Sequence, residues 1–123
     1  LLVGGMKQKL AREKAMATLE LVGLVDQANK RPAEMSGGQQ QRITVARAIV
    51  NDPAIIWADE PTGALDSETS KGIMDLLCDL NERKHQTFVL VTHDEGVGAR
   101  AGRLVRMRDG VVESDELTIA AKA

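Results

Sequence analysis

Asp59 and Glu60 stand side by side at the end of a short apolar run, AIIWA (Ala54–Ala58), and His93 comes just after a second one, FVLV (Phe88–Val91). Adjacent carboxylates in that position suit a divalent cation together with a second task. Magnesium needs only one or two protein carboxylates beside waters and phosphate oxygens. Successive residues of a strand point to opposite sides, so Asp59 and Glu60 are expected to divide the work, one holding an ion and the other orienting or deprotonating a water. The same residues can also be read as a solvated turn, and His93 as a hydrogen-bonded surface residue.

A third feature is EMSGGQQQR (Glu34–Arg42), where Gly37 and Gly38 sit at the start of a helical pattern. Ser36 with Gln39 three residues later fits a capping box, serine accepting a backbone N–H and glutamine reaching back. That leaves the glycines unexplained, because alanine is about 1 kcal/mol better inside a helix. Glycine is useful where something must approach the backbone closely, and bare N–H groups at a positive helix end favour an anion such as phosphate.

The elements that must position these residues can be read from periodicity and punctuation. A stripe of Ala11, Ala15, Thr18, Leu19 and Val22 predicts a helix over 7–22, closed by Gly23 with Leu24. A short second helix is expected at 25–30, and a third from Ser36 to the turn Asn51-Asp52-Pro53. The apolar runs at 54–58 and 88–91 read as strands buried on both faces, as in a parallel sheet. Between them, Asp66 or Ser67 can cap a helix whose apolar face is Ile73, Leu76, Leu77 and Leu80, which makes a strand-helix-strand crossover. Leu104–Met107, Asp109-Gly110 and Val111-Val112 read as a hairpin. Ligands of open parallel sheets bind beyond the carboxyl ends of the strands, where Asp59, Glu60 and His93 fall.

Composition bounds the rest. The chain has 123 residues, 43% hydrophobic and 28% charged, with a formal charge of -2, which fits one globular domain without a basic footprint for nucleic acid. Trp57 and Phe88 are the only aromatic residues, so the core is aliphatic. Cys78 is the single cysteine, which excludes an internal disulfide. No apolar run approaches the ~20 residues that cross a bilayer. The opening, Leu1-Leu2-Val3-Gly4-Gly5, reads like a cut inside a longer protein, and the closing LTIAAKA is expected to fray.

MSGGQQQR (Met35–Arg42), IIWADEPTGALDS (Ile55–Ser67) and LVTHD (Leu90–Asp94) together resemble, in order and spacing, the signature, Walker B, D-loop and H-loop of ATP-binding-cassette (ABC) ATPases. The wording ADEPTGALDS is most similar to the macrolide-export and lipoprotein-release subfamily. The resemblance implies an α/β P-loop NTPase fold and phosphoryl transfer from ATP to water. It implies that Ser36, Gly37, Gly38 and Gln39 contact a nucleotide held mainly by the opposite subunit of a head-to-tail dimer. Asp59 would bind Mg2+ mostly through water, Glu60 would position the hydrolytic water, His93 would touch the γ-phosphate, and Asp66 would communicate across the dimer. A transmembrane permease is the implied second partner, and the implied location is cytoplasmic, peripheral on the inner face of the cell membrane.

The sequence also departs from the pattern. No G-x-x-x-x-G-K-[S/T] occurs, and Gly4-Gly5 is no substitute, lacking the lysine and a preceding strand. The adenine-stacking aromatic and the glutamine loop are missing, while Met35 and Trp57 replace the more usual leucine and aliphatic. The expected organisation is a helical signature subdomain over 1–53 and the carboxyl-terminal half of the RecA-like catalytic subdomain over 54–123, with an incomplete, mainly parallel sheet lacking the Walker A strand. In the family that strand lies between those corresponding to Phe88–Val91 and Leu104–Met107. The isolated chain is therefore expected to be unstable or to repair the gap by shifting strands together or exchanging elements, and to be inactive alone. Two alternatives stand beside this reading: a non-catalytic remnant serving as a binding or dimerisation module, and an ABC ATPase of DNA maintenance.

Overall fold

The computed structural model describes residues 7–119; the opening Leu1–Gly5 and the last residues of LTIAAKA lie outside them. The first helix, α1 (Gln8–Leu21), starts without a side-chain cap and ends in a Schellman closure. Gly23 takes a φ of 75°, Gly23 N–H donates to Glu20 O at 3.1 Å, and Leu24 N–H donates to Leu19 O at 2.9 Å. This drives Leu24 into the core, as the Gly-Leu pair in the sequence suggests. The expected helix at 25–30 is only a 3-10 turn, Val25–Gln27, followed by another at Pro32–Glu34. A segment this short and polar cannot bury a helical face of its own.

Helix α2 (Gly37–Ile49) begins at the Ser36 capping box and buries Val45, Ala46 and Ile49. Strand β1 (Ile55–Asp59) leads through a loop to α3 (Ser67–Lys84), and β2 (Thr87–Val91) returns parallel to β1 with Ile55 opposite Thr87 and Asp59 opposite Val91. Helix α3 buries the predicted Ile73, Leu76, Leu77 and Leu80, with Met74 as well. It ends where His85 adopts a left-handed φ of 55°. Gln86 then anchors the turn to the start of β1 by donating from Nε2 to Pro53 O at 3.1 Å. A short helix that the periodicity did not predict, α4 (Glu95–Ala99), is capped by Asp94, whose Oδ1 accepts from Gly96 N and Val97 N. The hairpin β3 (Arg103–Arg108) and β4 (Val111–Leu117) turns at Asp109-Gly110, both with positive φ, as the Asp-Gly signal requires. It is tied to α4 by the bidentate pair Arg106–Glu95 and by Leu104 seated against Gly98.

One core holds the molecule. Val22 and Leu24 from the end of α1, Val45, Ala46 and Ile49 from α2, Ile56 from β1 and the α3 face form a single apolar cluster, with Val97 of α4 joining it. Residues before and after Pro53 therefore share their interior.

Neither strand of the parallel pair is buried on both faces as the sequence reading expects; in β2, Phe88, Val89 and Leu90 are half-buried and Val91 is exposed. β1 is buried on one face only: Ile56 faces the helices, while Ile55 and Trp57 are exposed, Trp57 at 73%. A continuous apolar run predicts burial on both faces only if a second layer covers the sheet, and no described element lies there. The fold is α/β with an incomplete sheet. β1 and β2 form one two-stranded parallel sheet, and β3 and β4 form a separate antiparallel one. Among the described residues the expected repair by strands shifting together does not occur, and β2 keeps an open edge. Among the described residues no helix is long and apolar enough to cross a membrane.

Candidate functional site

The carboxyl edge of the parallel pair brings Glu60 and His93 together. Glu60 N–H donates to Val91 O at 2.8 Å, extending the ladder by one bond as the chain leaves β1. The residue then takes a φ of 47°, a left-handed conformation that glutamate seldom adopts. Among the described residues the other non-glycine residues with positive φ are Asp52, His85 and Asp109, types that tolerate it better and that sit in ordinary turns. The bend aims the Glu60 carboxylate at the turn after β2. Its Oε1 accepts from His93 N–H at 2.8 Å, and its Oε2 accepts from the Thr92 hydroxyl at 3.2 Å. The His93 ring is 99% exposed, with Nε2 at 3.6 Å from Glu60 Oε1, close enough to attract when protonated and free to turn toward a ligand.

Asp59 is exposed at the last position of β1 and has no hydrogen-bond or ion-pair partner among the described residues. The two carboxylates thus differ in environment, one tied to the protein and one left to solvent. Among the described residues no cluster of three or more His, Cys, Asp or Glu is suited to a metal. A single free carboxylate fits Mg2+ only where waters and phosphate oxygens complete the shell.

The second grouping is built where the amino ends of α2 and α3 meet. Ser36 Oγ accepts from Gln39 N at 3.2 Å, and Gln39 Oε1 accepts from Ser36 N at 3.1 Å, so the capping box is complete. Asp66 caps α3 by accepting Thr69 N–H at 2.7 Å, and this backbone hydrogen bond holds its carboxyl below the usual carboxylate range. Gly38 lies against Thr69: a Cβ added there would fall 2.5 Å from Thr69 Cγ2. At Gly37 the nearest neighbour of such a Cβ, Leu65 Cδ2, would be at 3.4 Å. Sequence reasoning left both glycines without a packing role, but Gly38 has one, in a residue far along the chain. Ser70 Oγ, its one proton shared between Thr62 O at 3.3 Å and Leu65 O at 3.4 Å, keeps the loop between β1 and α3 close to this junction.

The two glycines should therefore respond differently to substitution. Gly38→Ala gains about 1 kcal/mol of helix propensity but forces a β-branched side chain aside at a cost of about 1 to 3 kcal/mol, so the melting temperature falls. Gly37→Ala meets ordinary contact and leaves stability unchanged or raised. Equal shifts for both variants in a thermal melt would refute the packing role of Gly38.

Thr92 is the residue of this site that sequence reasoning missed. The signal available was its place between a strand and a helix-capping aspartate, where a hydroxyl can satisfy both.

Comparison with known proteins places the geometry in a class. The dimeric structure of MJ0796, a bacterial ABC transporter cassette, superposes with a TM-score of 0.75 at 46% identity, over 93% of this chain and 50% of that one. The same cassette in a post-hydrolysis state bound to ADP and Pi gives 0.75 at 45% identity, covering 94% of this chain and 50% of that one. The fold is that of ABC ATPase cassettes. A family model described as ABC transporter matches residues 3–63. The lipoprotein-releasing system ATP-binding protein LolD of Bacteroides thetaiotaomicron is 47% identical over 92% of this chain and 52% of its own length. The macrolide export ATP-binding/permease protein MacB of Bdellovibrio bacteriovorus is 51% identical over 85% of this chain and 16% of its own. The chain belongs to the ABC transporter ATPase family, and it spans about half the length of the LolD relative.

Proposed function

We propose that these residues form the carboxyl-terminal half of a cassette that hydrolyses ATP to drive a membrane transporter. In this reading residues 1–53 are the helical signature subdomain and residues 54–123 the second half of the catalytic subdomain. The observation that carries it is the Glu60 carboxylate, bent out of β1 and held at 2.8 Å by the backbone of His93. That pairing supports a water-orienting role for Glu60 and a phosphate-contacting role for His93 at one strand edge.

Glu60 orients the attacking water and accepts its proton as the new oxygen–phosphorus bond forms and the bond from the γ-phosphorus to the bridging oxygen breaks, releasing ADP and phosphate. His93, exposed and one hydrogen bond away, turns toward the γ-phosphate and stabilises its charge. Asp59, free at the end of β1, would hold Mg2+, and that ion, when bound, would neutralise charge on the phosphate oxygens. Ser36, Gly37, Gly38 and Gln39 present the amino end of α2 to a nucleotide held by a second cassette in a head-to-tail pair, where Asp66 lies beside the same junction. The partners are that second cassette and a transmembrane permease, and the location is the cytoplasmic face of the membrane. The names of the relatives, lipoprotein release and macrolide export, point to a transporter of that kind.

This chain alone offers phosphate one helix end and no lysine-bearing loop, so it binds ATP poorly and does not turn it over. Calorimetric titration of ATP and Mg2+ into the isolated chain should give no saturating heat. Saturable binding accompanied by phosphate release would overturn this division of labour between the two halves of the cassette.

A further inference from the structure

We propose that Thr92 is a positioning residue for Glu60, fixing the carboxylate in the orientation from which it acts on water. The inference rests on the proposed role of Glu60 and adds to it the device that aims the side chain.

The hydrogen bonds have an order. Asp94 N–H donates to Thr92 Oγ1 at 3.0 Å, and Thr92 Oγ1 lies 3.2 Å from Glu60 Oε2. A hydroxyl carries one proton and two lone pairs, and a backbone N–H can only donate. With Asp94 N–H directed at a lone pair, the hydroxyl proton is left for the carboxylate. The chain therefore runs one way, from Asp94 N–H through the Thr92 hydroxyl to Glu60.

The other oxygen is held by a different donor from the same turn, His93 N–H at 2.8 Å. Two donors on the two oxygens fix both the position and the plane of the carboxylate. Each oxygen keeps a further lone pair for a water. Without the Thr92 contact only Oε1 is held, and the carboxylate can swing about that single bond. The Glu60 side chain is 34% exposed, so solvent is at hand to compete for a freed oxygen. Asp94 is in turn fixed by capping α4 through Gly96 N at 2.7 Å and Val97 N at 3.1 Å. The orientation of Glu60 thus refers back to the start of α4, an element with no direct role in the chemistry.

The test is made in the complete cassette carrying these residues, with ATP as substrate. Thr92→Val keeps the shape and removes the hydroxyl. It should lower kcat by about 10- to 100-fold, the scale of a misplacement of about 1 Å, while KM for ATP and the melting temperature stay near wild type. Thr92→Ser restores the hydroxyl and should recover most of the rate. The proposal fails if Thr92→Val turns over at the wild-type rate, or if Thr92→Ser is as slow as Thr92→Val. It fails also if the loss in Thr92→Val follows a fall in melting temperature. If instead Glu60→Gln keeps the wild-type rate, the role of Glu60 itself falls, an outcome distinct from the failure of Thr92 alone.

Discussion

In the complete cassette, Glu60→Gln should reduce the rate of ATP hydrolysis by about 10² to 10⁴-fold, the usual contribution of a positioned general base, with ATP binding retained. Glutamine has the same length, suits the left-handed backbone at φ 47° no worse, and can still accept from His93 N–H through its carbonyl oxygen. What it loses is the negative charge and the ability to take a proton. Its amide would also face the Thr92 hydroxyl with a donor where the carboxylate presented an acceptor. Steady-state phosphate release measures the first effect, and equilibrium nucleotide binding measures the second. Because hydrolysis is removed and binding kept, the variant should also accumulate the nucleotide-bound dimer. A variant that hydrolyses ATP at the wild-type rate would remove Glu60 from the mechanism, and one that no longer binds ATP would make its role structural.

The largest effect on stability is expected from Ile73→Ala. Ile73 is 1% exposed within α3 and, with Leu80 and Val22, is among the largest fully buried side chains of the described residues. Truncating a buried isoleucine to alanine costs about 2 to 5 kcal/mol, from lost transfer energy and from the cavity that remains. A domain of this size has only about 5 to 15 kcal/mol in total. With one sheet face open, this chain belongs near the lower end, so the substitution removes a large part of its stability. Urea unfolding of the two proteins gives the difference directly, and Leu10→Ala, at an exposed site on α1, is the control expected to be nearly neutral. A loss at Ile73 no larger than at Leu10 would mean that α3 is not packed as described.

Much of this structure is legible in the sequence because its signals are local. The Ser36 capping box, the Gly23-Leu24 closure, the α3 face and the Asp109-Gly110 turn each depend on residues within a turn or two of one another, and each forms as the pattern implies. The parallel pairing of β1 with β2 follows from the same reasoning, since strand-helix-strand units have few other solutions. What could not be read depends on residues far apart. The outward face of β1 looks buried from its composition, but burial is a property of the layer that covers a strand. Gly38 meets Thr69 only because two helix starts converge. The attachment of Glu60 to Thr92 and His93 follows from a backbone conformation at Glu60 that its residue type does not announce.

The exposed face of β1 has a practical consequence. Trp57 is the only tryptophan, it is 73% exposed, and it shares its side of the sheet with Ile55 and, across the pair, with Val89 and Val91. The molecule therefore carries a built-in fluorophore on its uncovered surface. Its emission reports the polarity around one indole without any label: water-like and red while the face is open, and shifted to the blue when another polypeptide layer seals it. Phe88, the single other aromatic residue, does not emit in that range, so the spectrum is unmixed.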